Sequence, residues 1–369
     1  MIPSFDKIHN KFKLNGEHYD QSTLKEVACD FIKEGLPFQK VIGDFLLDWL
    51  NDKDAISVST SGSTGTPKLL ALKKQSMVHS ALATGDYFGL APGNTALHCL
   101  PTGFIAGKMM LVRALILGLE LDLVEPSAQP LLYIDKPYDF CAMVPLQLQN
   151  SINQLRDIKT LIVGGAAVSN KLQNKIQETS CDIYATYGMT ETITHIAVKK
   201  LNNFSSLGGS TTKQPDDETF ETLPNISISK DDRECLVINA PQLTDVPVVT
   251  NDIIELCSKN SFKLLGRIDN VINSGGIKLF PEHIEKKLSE IINVSFFLAA
   301  KKDDSLGECL ILVIEGSYDI EHITETIKKL PNLNAYEIPK QIFCIPQFAK
   351  TNSGKLLRKQ TLHLLNFNE

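Results

Sequence analysis

The sequence predicts an α/β fold with a large N-terminal domain of layered sheets and helices and a small, mobile α+β domain at the C-terminus. Three observations predict it. Short apolar runs alternate with amphipathic helical patterns up to about residue 200, several short strands follow, and the pattern changes again after Arg267. Alternation of buried strands with helices is typical of α/β proteins, and about one hundred residues is an ordinary domain size. We therefore expect domains at residues 1–266 and 267–369.

The large domain begins with a predicted helical lead-in over residues 1–50, where apolar side chains recur at helical spacing between Gln21 and Leu50. A stretch rich in Ser, Thr, Asp and Gly predicts a loop and hairpin at 203–235. The other elements predicted before the hinge are strands at 55–60, 68–74, 95–101, 121–126, 140–145, 160–165, 182–188, 194–200, 235–240, 252–257 and 262–266, and helices at 75–88, 105–117 and 168–179.

The small domain shows a different order of elements. Pro281 and Glu282 favour the first turn of a helix, because proline suits the first helical position and a carboxylate interacts well with the helix dipole. The predicted elements are helices at 281–292 and 320–330 and strands at 294–300, 309–316 and 341–346. Strands and helices of this order predict an α+β unit.

Composition and charge exclude several classes of protein. The net charge of −6 argues against general binding to nucleic acid, which needs a basic face. No run approaches the ~18 apolar residues of a membrane span, and the charged start lacks a secretory signal. The eight cysteines form no CxxC pair and no Cys/His metal spacing, so we expect reduced thiols in a cytoplasmic protein. The oligomeric state stays open, and a homo-oligomer is compatible with the sequence.

The segment from Ser59 to Lys68 reads STSGSTGTPK and is the most informative in the chain. Its glycines allow a tight turn whose N–H groups approach an anion, and its hydroxyls and lysine can contact phosphate oxygens. An alternative interpretation is a flexible surface turn between two strands, and the segment is not a GxxxxGK[ST] loop. The candidate phosphate-binding residues are Thr60, Ser61, Gly62, Ser63, Thr64, Gly65 and Lys68.

This order of residues resembles the phosphate loop of the adenylate-forming superfamily, which includes acyl-CoA synthetases, luciferases and peptide-synthetase adenylation domains. Further segments follow in the order of that superfamily. Gly164, Gly165 and Ala166 end an apolar strand, and the resemblance implies that they line the adenine pocket. About 58 residues precede the loop, fewer than is usual in the superfamily, so a shortened N-terminal subdomain is expected.

The segment Tyr187-Gly188-Met189-Thr190-Glu191 is similar to the YGxTE motif of the superfamily. The resemblance implies that Thr190 bonds a phosphate, that Glu191 holds Mg²⁺, and that Tyr187 and Gly188 lie beside the adenine. Magnesium prefers a carboxylate together with phosphate oxygens and water. A Thr-Glu pair could equally cap a helix.

A third resemblance concerns Asp252 and Arg267, which match the residues that grip the ribose hydroxyls. The usual TGD reads Thr250-Asn251-Asp252 here, so the glycine of the motif is not kept. The segment from Gly266 to Lys278 is similar to the hinge of the superfamily. It places Asp269 at the hinge itself and Gly276 beside the channel for the pantetheine of coenzyme A.

Near the C-terminus, Lys355 matches the catalytic lysine in a motif similar to PxTxxGKxxR. The resemblance implies an enzyme that uses ATP with Mg²⁺ to activate a small carboxylic acid as an acyl-adenylate, and then transfers the acyl group to coenzyme A. Lys355 would serve the first half-reaction only. Rotation of the small domain about Asp269 would then bring the Gly276 face to the site.

The acyl pocket is predicted with less detail. The short chain and the segment from Thr186 to Thr192 resemble most those members that act on o-succinylbenzoate, an aromatic keto acid with a second carboxylate. Such an acid needs an apolar slot with a cation or donor at its far end. Thr194 and His195 are the candidates, followed by three others, each of which could instead be structural: His98, Lys108 and Arg113. Phe104 stands where the superfamily usually has a histidine.

Three alternatives remain beside this interpretation. The enzyme could act on another aryl or acyl acid, or load a carrier protein instead of coenzyme A. A scaffold protein that kept the fold and lost turnover is the third, and the presence of Lys355, Glu191 and Asp252 argues against it.

Overall fold

The computed structural model describes residues 2–60, 68–203, 218–350 and 356–365. Within these ranges the chain forms a thirteen-stranded sheet, a five-stranded sheet and a separate two-stranded ribbon, with nine α-helices. The α/β architecture with a smaller C-terminal α+β part is therefore confirmed. None of the described helices is long and apolar enough to cross a membrane.

The strands and helices are numbered in chain order. The strands are β1 (Lys13–Leu14), β2 (Glu17–His18), β3 (Ala55–Thr60), β4 (Lys68–Lys73), β5 (Thr95–His98), β6 (Glu120–Leu123), β7 (Tyr138–Met143), β8 (Ile158–Val163), β9 (Asp182–Gly188), β10 (His195–Lys200), β11 (Thr219–Thr222), β12 (Ser227–Lys230), β13 (Cys235–Asn239), β14 (Val248–Ser258), β15 (Ser261–Arg267), β16 (Ile272–Ser274), β17 (Ile277–Leu279), β18 (Phe296–Asp303), β19 (Gly307–Glu315) and β20 (Gln341–Ile345). The helices are α1 (Gln21–Glu34), α2 (Pro37–Leu50), α3 (Lys74–Phe88), α4 (Ile105–Leu117), α5 (Pro145–Asn150), α6 (Asn170–Lys175), α7 (Pro281–Leu288), α8 (Ile320–Lys328) and α9 (Arg358–His363).

The large sheet is parallel on one side and antiparallel on the other. Its order is β12-β13-β14-β15-β11-β10-β9-β8-β7-β5-β6-β1-β2, and the run from β9 to β1 pairs in parallel. Strand β7 is buried on both faces: Phe140 and Ala142 belong to one hydrophobic core, while Cys141 and Met143 belong to another. Successive side chains of a strand point to opposite faces, so covered parallel strands appear as continuous apolar runs.

Residues 13–18 correct the predicted helical lead-in, because they form a hairpin at the edge of the large sheet. Asn15 and Gly16 both have positive φ, at 51° and 86°, which is the conformation that a two-residue type I′ hairpin turn requires. Strand β1 pairs in parallel with β6, and Lys13 Nζ lies 2.9 Å from Glu120 Oε1. The Asn-Gly pair was a usable hairpin signal, although the strands beside it have only two residues each.

Helices α1 and α2 follow as an antiparallel pair within the predicted helical region. Asp20 caps α1 by accepting hydrogen bonds from the N–H groups of Ser22 and Thr23, and Pro37 starts α2. The two helices approach closely at Gly43, where an added Cβ would lie 2.5 Å from the carbonyl oxygen of Ala28. A side chain at that position would therefore force the helices apart.

The smaller part has its own sheet and its own cores. Strands β16 to β20 form one sheet, and helices α7 and α8 supply Ile284, Leu288, Ile323 and Ile327 to a core beside it. Arg267 ends the large sheet and Ile272 begins the small one. That residues 1–266 and 267–369 are two independent domains stays a prediction.

Several predicted bounds differ from the structure. The helix predicted at 168–179 is reduced to α6 over six residues, and the strand predicted at 252–257 extends over eleven. Strand β14 begins earlier because Val248 and Val249 pair with β13. Helix α5, which starts at Pro145, and helix α9 were not predicted. Both have only six residues, too few for a clear helical period.

Candidate active site

A cleft of about 700 Å³ opens at the carboxyl ends of the parallel strands of the large sheet. Val144 follows β7, Gly164 follows β8, and Gly188 ends β9, and all three line the cleft. Ligands of open α/β sheets bind in crevices at this edge. The topology therefore places three separate parts of the sequence around one site.

Gly164 and Gly165 are glycines for different reasons. A Cβ on Gly164 would lie 2.5 Å from Thr186 Oγ1, whose hydroxyl donates to the carbonyl of Val163 at 3.2 Å. Gly165 has a φ of 85°, where other residues are strained. Both line the cleft, whereas Ala166 is exposed and does not belong to its lining.

The turn of residues 189–194 joins β9 to β10 and supplies much of one wall of the cleft. Met189, Thr190, Glu191 and Thr194 all line it. Glu191 is exposed and has no hydrogen-bond or ion-pair partner among the described residues. No described residue occupies its carboxylate, which can bind a ligand in the cleft.

On another wall of the cleft, Asp252 and Arg267 face each other as register partners on β14 and β15. Asp252 is 9% exposed and accepts a hydrogen bond from the Tyr187 hydroxyl at 2.5 Å. Arg267 Nη1 lies 3.4 Å from the other carboxylate oxygen of Asp252. Burial and the neighbouring Asp252 carboxylate raise the pKa of Tyr187 above its usual value, so the phenol stays a donor. The Tyr187 ring packs against Phe220 and Phe262.

The predicted hinge residue is linked to this wall. Asp269 accepts hydrogen bonds from Arg267 at 2.9 Å and from Asn251 at 3.2 Å. The hydrogen bond from Arg267 lowers the pKa of Asp269, and the bond from Asn251 acts in the same direction against burial. Asn251 is the residue that departs from the usual glycine, and its side chain connects β14 to Asp269, the predicted hinge residue. The sequence alone held no sign of this contact.

A buried guanidinium and a buried imidazole form another part of the lining. Arg113 is 1% exposed and His195 is 5% exposed, and both line the cleft. Arg113 Nη2 lies 3.4 Å from His195 Nδ1, and Arg113 Nε donates to Thr84 Oγ1 at 3.3 Å. No carboxylate among the described residues forms an ion pair with Arg113. Burial lowers the pKa of Arg113 to about 9, and burial followed by the charge of Arg113 lowers the pKa of His195 well below its usual value.

The tautomer of His195 follows from this contact. A guanidinium only donates hydrogen bonds, so Nδ1 is the acceptor and Nε2 carries the proton. His195 Nε2 is buried and has no partner among the described residues. Among the described residues, the cleft therefore holds a guanidinium without an anionic partner and an imidazole N–H without an acceptor.

Other predicted site residues lie elsewhere or outside the described residues. Gly276 is exposed on the turn between β16 and β17, away from the cleft lining. His98 bonds Thr102 at 2.8 Å, and Lys108 lies over the Phe45 ring, so neither supplies the cleft. Thr60 and Lys68 form the last and first positions of the ribbon strands β3 and β4. The predicted residues outside the described ranges are Ser61, Gly62, Ser63, Thr64, Gly65 and Lys355.

A magnesium ion fits this site only together with a substrate. Within the described ranges, no cluster of three or more His, Cys, Asp or Glu side chains could hold a metal by itself. Magnesium commonly binds one or two carboxylates plus phosphate oxygens and water, and the exposed Glu191 offers one such carboxylate. The residues present are consistent with an ion that arrives with a nucleotide.

Comparison with known proteins supports this picture. Residues 46–259 match the model of the AMP-binding enzyme family. An acyl-CoA synthetase (AMP-forming)/AMP-acid ligase II-like protein from Dyadobacter fermentans is 36% identical, with 93% of this chain and 98% of that chain covered and a TM-score of 0.59. An o-succinylbenzoate coenzyme A synthetase from Bacillus subtilis, in complex with ATP and magnesium, shares the fold at a TM-score of 0.69 and 20% identity, over 83% of this chain and 69% of that one.

Curated relatives of similar sequence are also named as ligases of this acid and coenzyme A. The 2-succinylbenzoate–CoA ligase of Lactococcus lactis is 24% identical, with 85% of this chain and 72% of that protein covered. That of Listeria monocytogenes is 27% identical, with coverage of 85% and 70%. The family match and the architecture define the class of protein, an adenylate-forming enzyme, as the order of the motifs predicted. The chain belongs to the AMP-binding enzyme family, and within it is an acid–thiol ligase.

Proposed function

We propose that this protein joins o-succinylbenzoate to coenzyme A through an acyl-adenylate, with ATP and Mg²⁺, as a cytoplasmic step of menaquinone biosynthesis. The observation that carries the choice of acid is the buried pair of Arg113 and His195. Both line the cleft, and neither has an anionic partner among the described residues. A substrate with a second carboxylate would supply that partner.

The physical argument rests on the cost of burying a charge. A guanidinium removed from water without a counter-ion is strongly destabilised, which is why buried charges are normally paired. The lowered pKa of Arg113, about 9, expresses that cost. A carboxylate at the inner end of an acyl group could accept from both Arg113 and His195 Nε2. A plain benzoate or a fatty acid would leave both groups without an anionic partner.

The names of the relatives favour the same acid. Those from Lactococcus lactis and Listeria monocytogenes are called 2-succinylbenzoate–CoA ligases. The chain also has the apolar surface that an aromatic ring needs, since Leu100, Ile105 and Met143 line the cleft beside the polar pair.

In the first half-reaction, a carboxylate oxygen attacks the α-phosphorus of ATP and pyrophosphate leaves. Two anions must meet, so neutralising charge is the main task of the protein. We assign Asp252 and Arg267 to the ribose hydroxyls, Gly164, Gly165, Ala166, Tyr187 and Gly188 to the adenine side, and Thr190 with the Ser61–Lys68 segment to the phosphates. Mg²⁺ on Glu191 would neutralise phosphate charge when bound. Lys355 would bridge the acid and an α-phosphate oxygen.

In the second half-reaction, the thiol of coenzyme A attacks the acyl carbonyl and AMP leaves. We propose that the small C-terminal part rotates about Asp269, which removes Lys355 and brings the Gly276 turn to the cleft. Among the described residues, the contacts between the two parts include polar ones: Asn170 Nδ2 donates to the carbonyl of Lys286 at 3.2 Å, and Lys171 Nζ donates to Asn293 Oδ1 at 2.9 Å. Polar contacts of this kind exchange with water at low cost, which suits a moving interface.

The test is pyrophosphate release with o-succinylbenzoate, benzoate and a fatty acid, each with and without coenzyme A. We expect release that depends on o-succinylbenzoate and thioester formation with coenzyme A. Release without consumption of coenzyme A would favour a carrier protein as acceptor. No release with any acid would contradict the proposal.

A matched pair of variants tests the acid. Arg113→Met should reduce the preference for o-succinylbenzoate over benzoate by about 10- to 100-fold, since a hydrogen bond to a charged group contributes about 1.5–3 kcal/mol. The free variant should be no less stable than the parent, because a buried unpaired charge is lost. Lys108→Met, at a cation outside the cleft lining, is the control and should keep the preference. An unchanged preference in Arg113→Met would contradict the assignment.

A further inference from the structure

The turn of residues 189–194 contains two residues that do not touch the cleft. Four of its six members line the cleft, whereas Thr192 and Ile193 do not. Thr192 is fully buried and Ile193 is 2% exposed, in the main core of the large part. The two residues between Glu191 and Thr194 therefore point away from any ligand and into the protein.

Ile193 has an unusual backbone conformation. Its φ of 67° and ψ of −60° are those of a three-residue γ-turn, and the N–H of Thr194 donates to the carbonyl of Thr192 at 2.8 Å. A β-branched residue is rarely found at positive φ, so this conformation is strained and must be held by its surroundings. The buried side chain of Ile193 provides that hold.

Thr192 ties the two ends of the turn together. Its hydroxyl oxygen accepts from the N–H of Met189 at 3.2 Å, and its proton can go to the carbonyl of Thr194 at 2.9 Å or of Met189 at 3.0 Å. At the base of the turn, a Cβ on Gly188 would lie 2.3 Å from the carbonyl oxygen of Thr194. The two arms are thus in direct contact, and the Thr192 hydroxyl bonds both.

We infer that Thr192 and Ile193 are positioning residues that fix the metal carboxylate of Glu191 relative to Thr194 and His195 on the acyl side. This inference rests on the proposed function. The γ-turn reverses the chain between the two sides of the site, so a change at its centre moves both sides at once. Neither residue contacts a substrate, and neither would be chosen from a list of cleft residues.

The test compares Thr192→Val, which keeps the shape and removes the hydroxyl, with Thr192→Ser, which keeps the hydroxyl. In Thr192→Val we expect the Mg²⁺ concentration for half-maximal rate and the KM for the acid to rise together, each by about tenfold, the scale of lost outer-shell support around a metal ligand. Thr192→Ser should keep both the Mg²⁺ concentration for half-maximal rate and the KM for the acid near the values of the parent. A merely structural role would lower the melting temperature and the active fraction without changing either constant.

A second variant and a binding measurement complete the test. Ile193→Gly accepts the positive φ and loses the buried side chain. In this variant the Mg²⁺ concentration for half-maximal rate and the KM for the acid should both rise, whereas in Ile193→Val neither should. Calorimetric titration of ATP with and without Mg²⁺ measures how ATP binding depends on the metal, in the absence of turnover. Folded Thr192→Val and Ile193→Gly with parental Mg²⁺ dependence would overturn the inference and leave the proposed function intact. Absence of ATP binding and of pyrophosphate release in the parent would refute the proposed function, and the inference with it.

Discussion

At the scale of single residues, burial decides what the polar groups of the cleft can do. Asp252 is 9% exposed and already holds one hydrogen bond from Tyr187 and a contact with Arg267. The phenol donates to one carboxylate oxygen and the guanidinium faces the other, so lone pairs remain for a diol. The protein thereby keeps a carboxylate acceptor ready at a largely buried position.

Replacing Asp252 tests this arrangement. Asp252→Asn should raise the KM for ATP by about 10- to 100-fold, because a hydrogen bond to a charged group contributes about 1.5–3 kcal/mol. Steady-state pyrophosphate release at varied ATP concentration measures this KM. Tyr187→Phe keeps the carboxylate and should have a smaller effect. A parental KM in Asp252→Asn would show that the nucleotide does not use this wall.

A second prediction at this scale concerns acid stability. His98 is buried, and burial lowers its pKa from 6.5 to about 4. Between those values the unfolded chain binds a proton that the folded chain does not, so the free energy of unfolding falls as the pH decreases from 6.5 to 4. Between pH 7.5 and pH 5, the free energy of unfolding should fall by about 2 kcal/mol less in His98→Gln than in the parent, at about 1.36 kcal/mol per pKa unit.

Urea denaturation at the two pH values measures this difference. The exposed His363 provides the control, and His363→Gln should follow the parent. The same loss in His98→Gln as in the parent would mean that other groups cause the acid sensitivity.

At the scale of elements, the close packing of α1 on α2 depends on Gly43. In an isolated helix, Gly→Ala gains about 1 kcal/mol, whereas overpacking costs about 1–3 kcal/mol. The 2.5 Å approach to the carbonyl of Ala28 makes the second effect larger. Gly43→Ala should therefore lower the free energy of unfolding by about 1–2 kcal/mol in chemical denaturation.

Gly103→Ala is the matched control, because an added Cβ there meets no atom within 4 Å. It should change the stability little. A Gly43→Ala variant more stable than the parent would mean that the two helices separate at no cost.

One clear success and one clear failure of the sequence predictions differ in the length of the element. The helix predicted at 105–117 has those same bounds in the structure, because many apolar side chains mark it. The hairpin at residues 13–18 was not predicted, since its strands are two residues long and their conformation depends on the pairing of β1 with β6. A pattern that needs several residues cannot report on an element that has only two.

At the scale of the whole molecule, two half-reactions must share one cleft. The prediction for Lys355→Ala is loss of ATP–pyrophosphate exchange by about 10²–10³, the scale of one lost electrostatic contact in a transition state. Thioester formation from supplied acyl-adenylate should continue, because the proposed mechanism gives Lys355 no part in thiol attack. Separate assays of the two half-reactions measure this.

Lys329→Ala, at a side chain that is 80% exposed, is the control for removal of a C-terminal charge. It should leave both half-reactions intact. Survival of both half-reactions in Lys355→Ala would show that the lysine has another role.

The sequence by itself determined the α/β class, the order of the motifs and the family, because these depend on local patterns that each segment carries alone. Only the tertiary structure decided which residues meet. Arg113 and His195 come from a helix and a strand 82 positions apart, and Asp252 meets Arg267 through strand register. The strained turn at Ile193 has no local signal either, since an isoleucine at positive φ is stable only inside a core that other elements build.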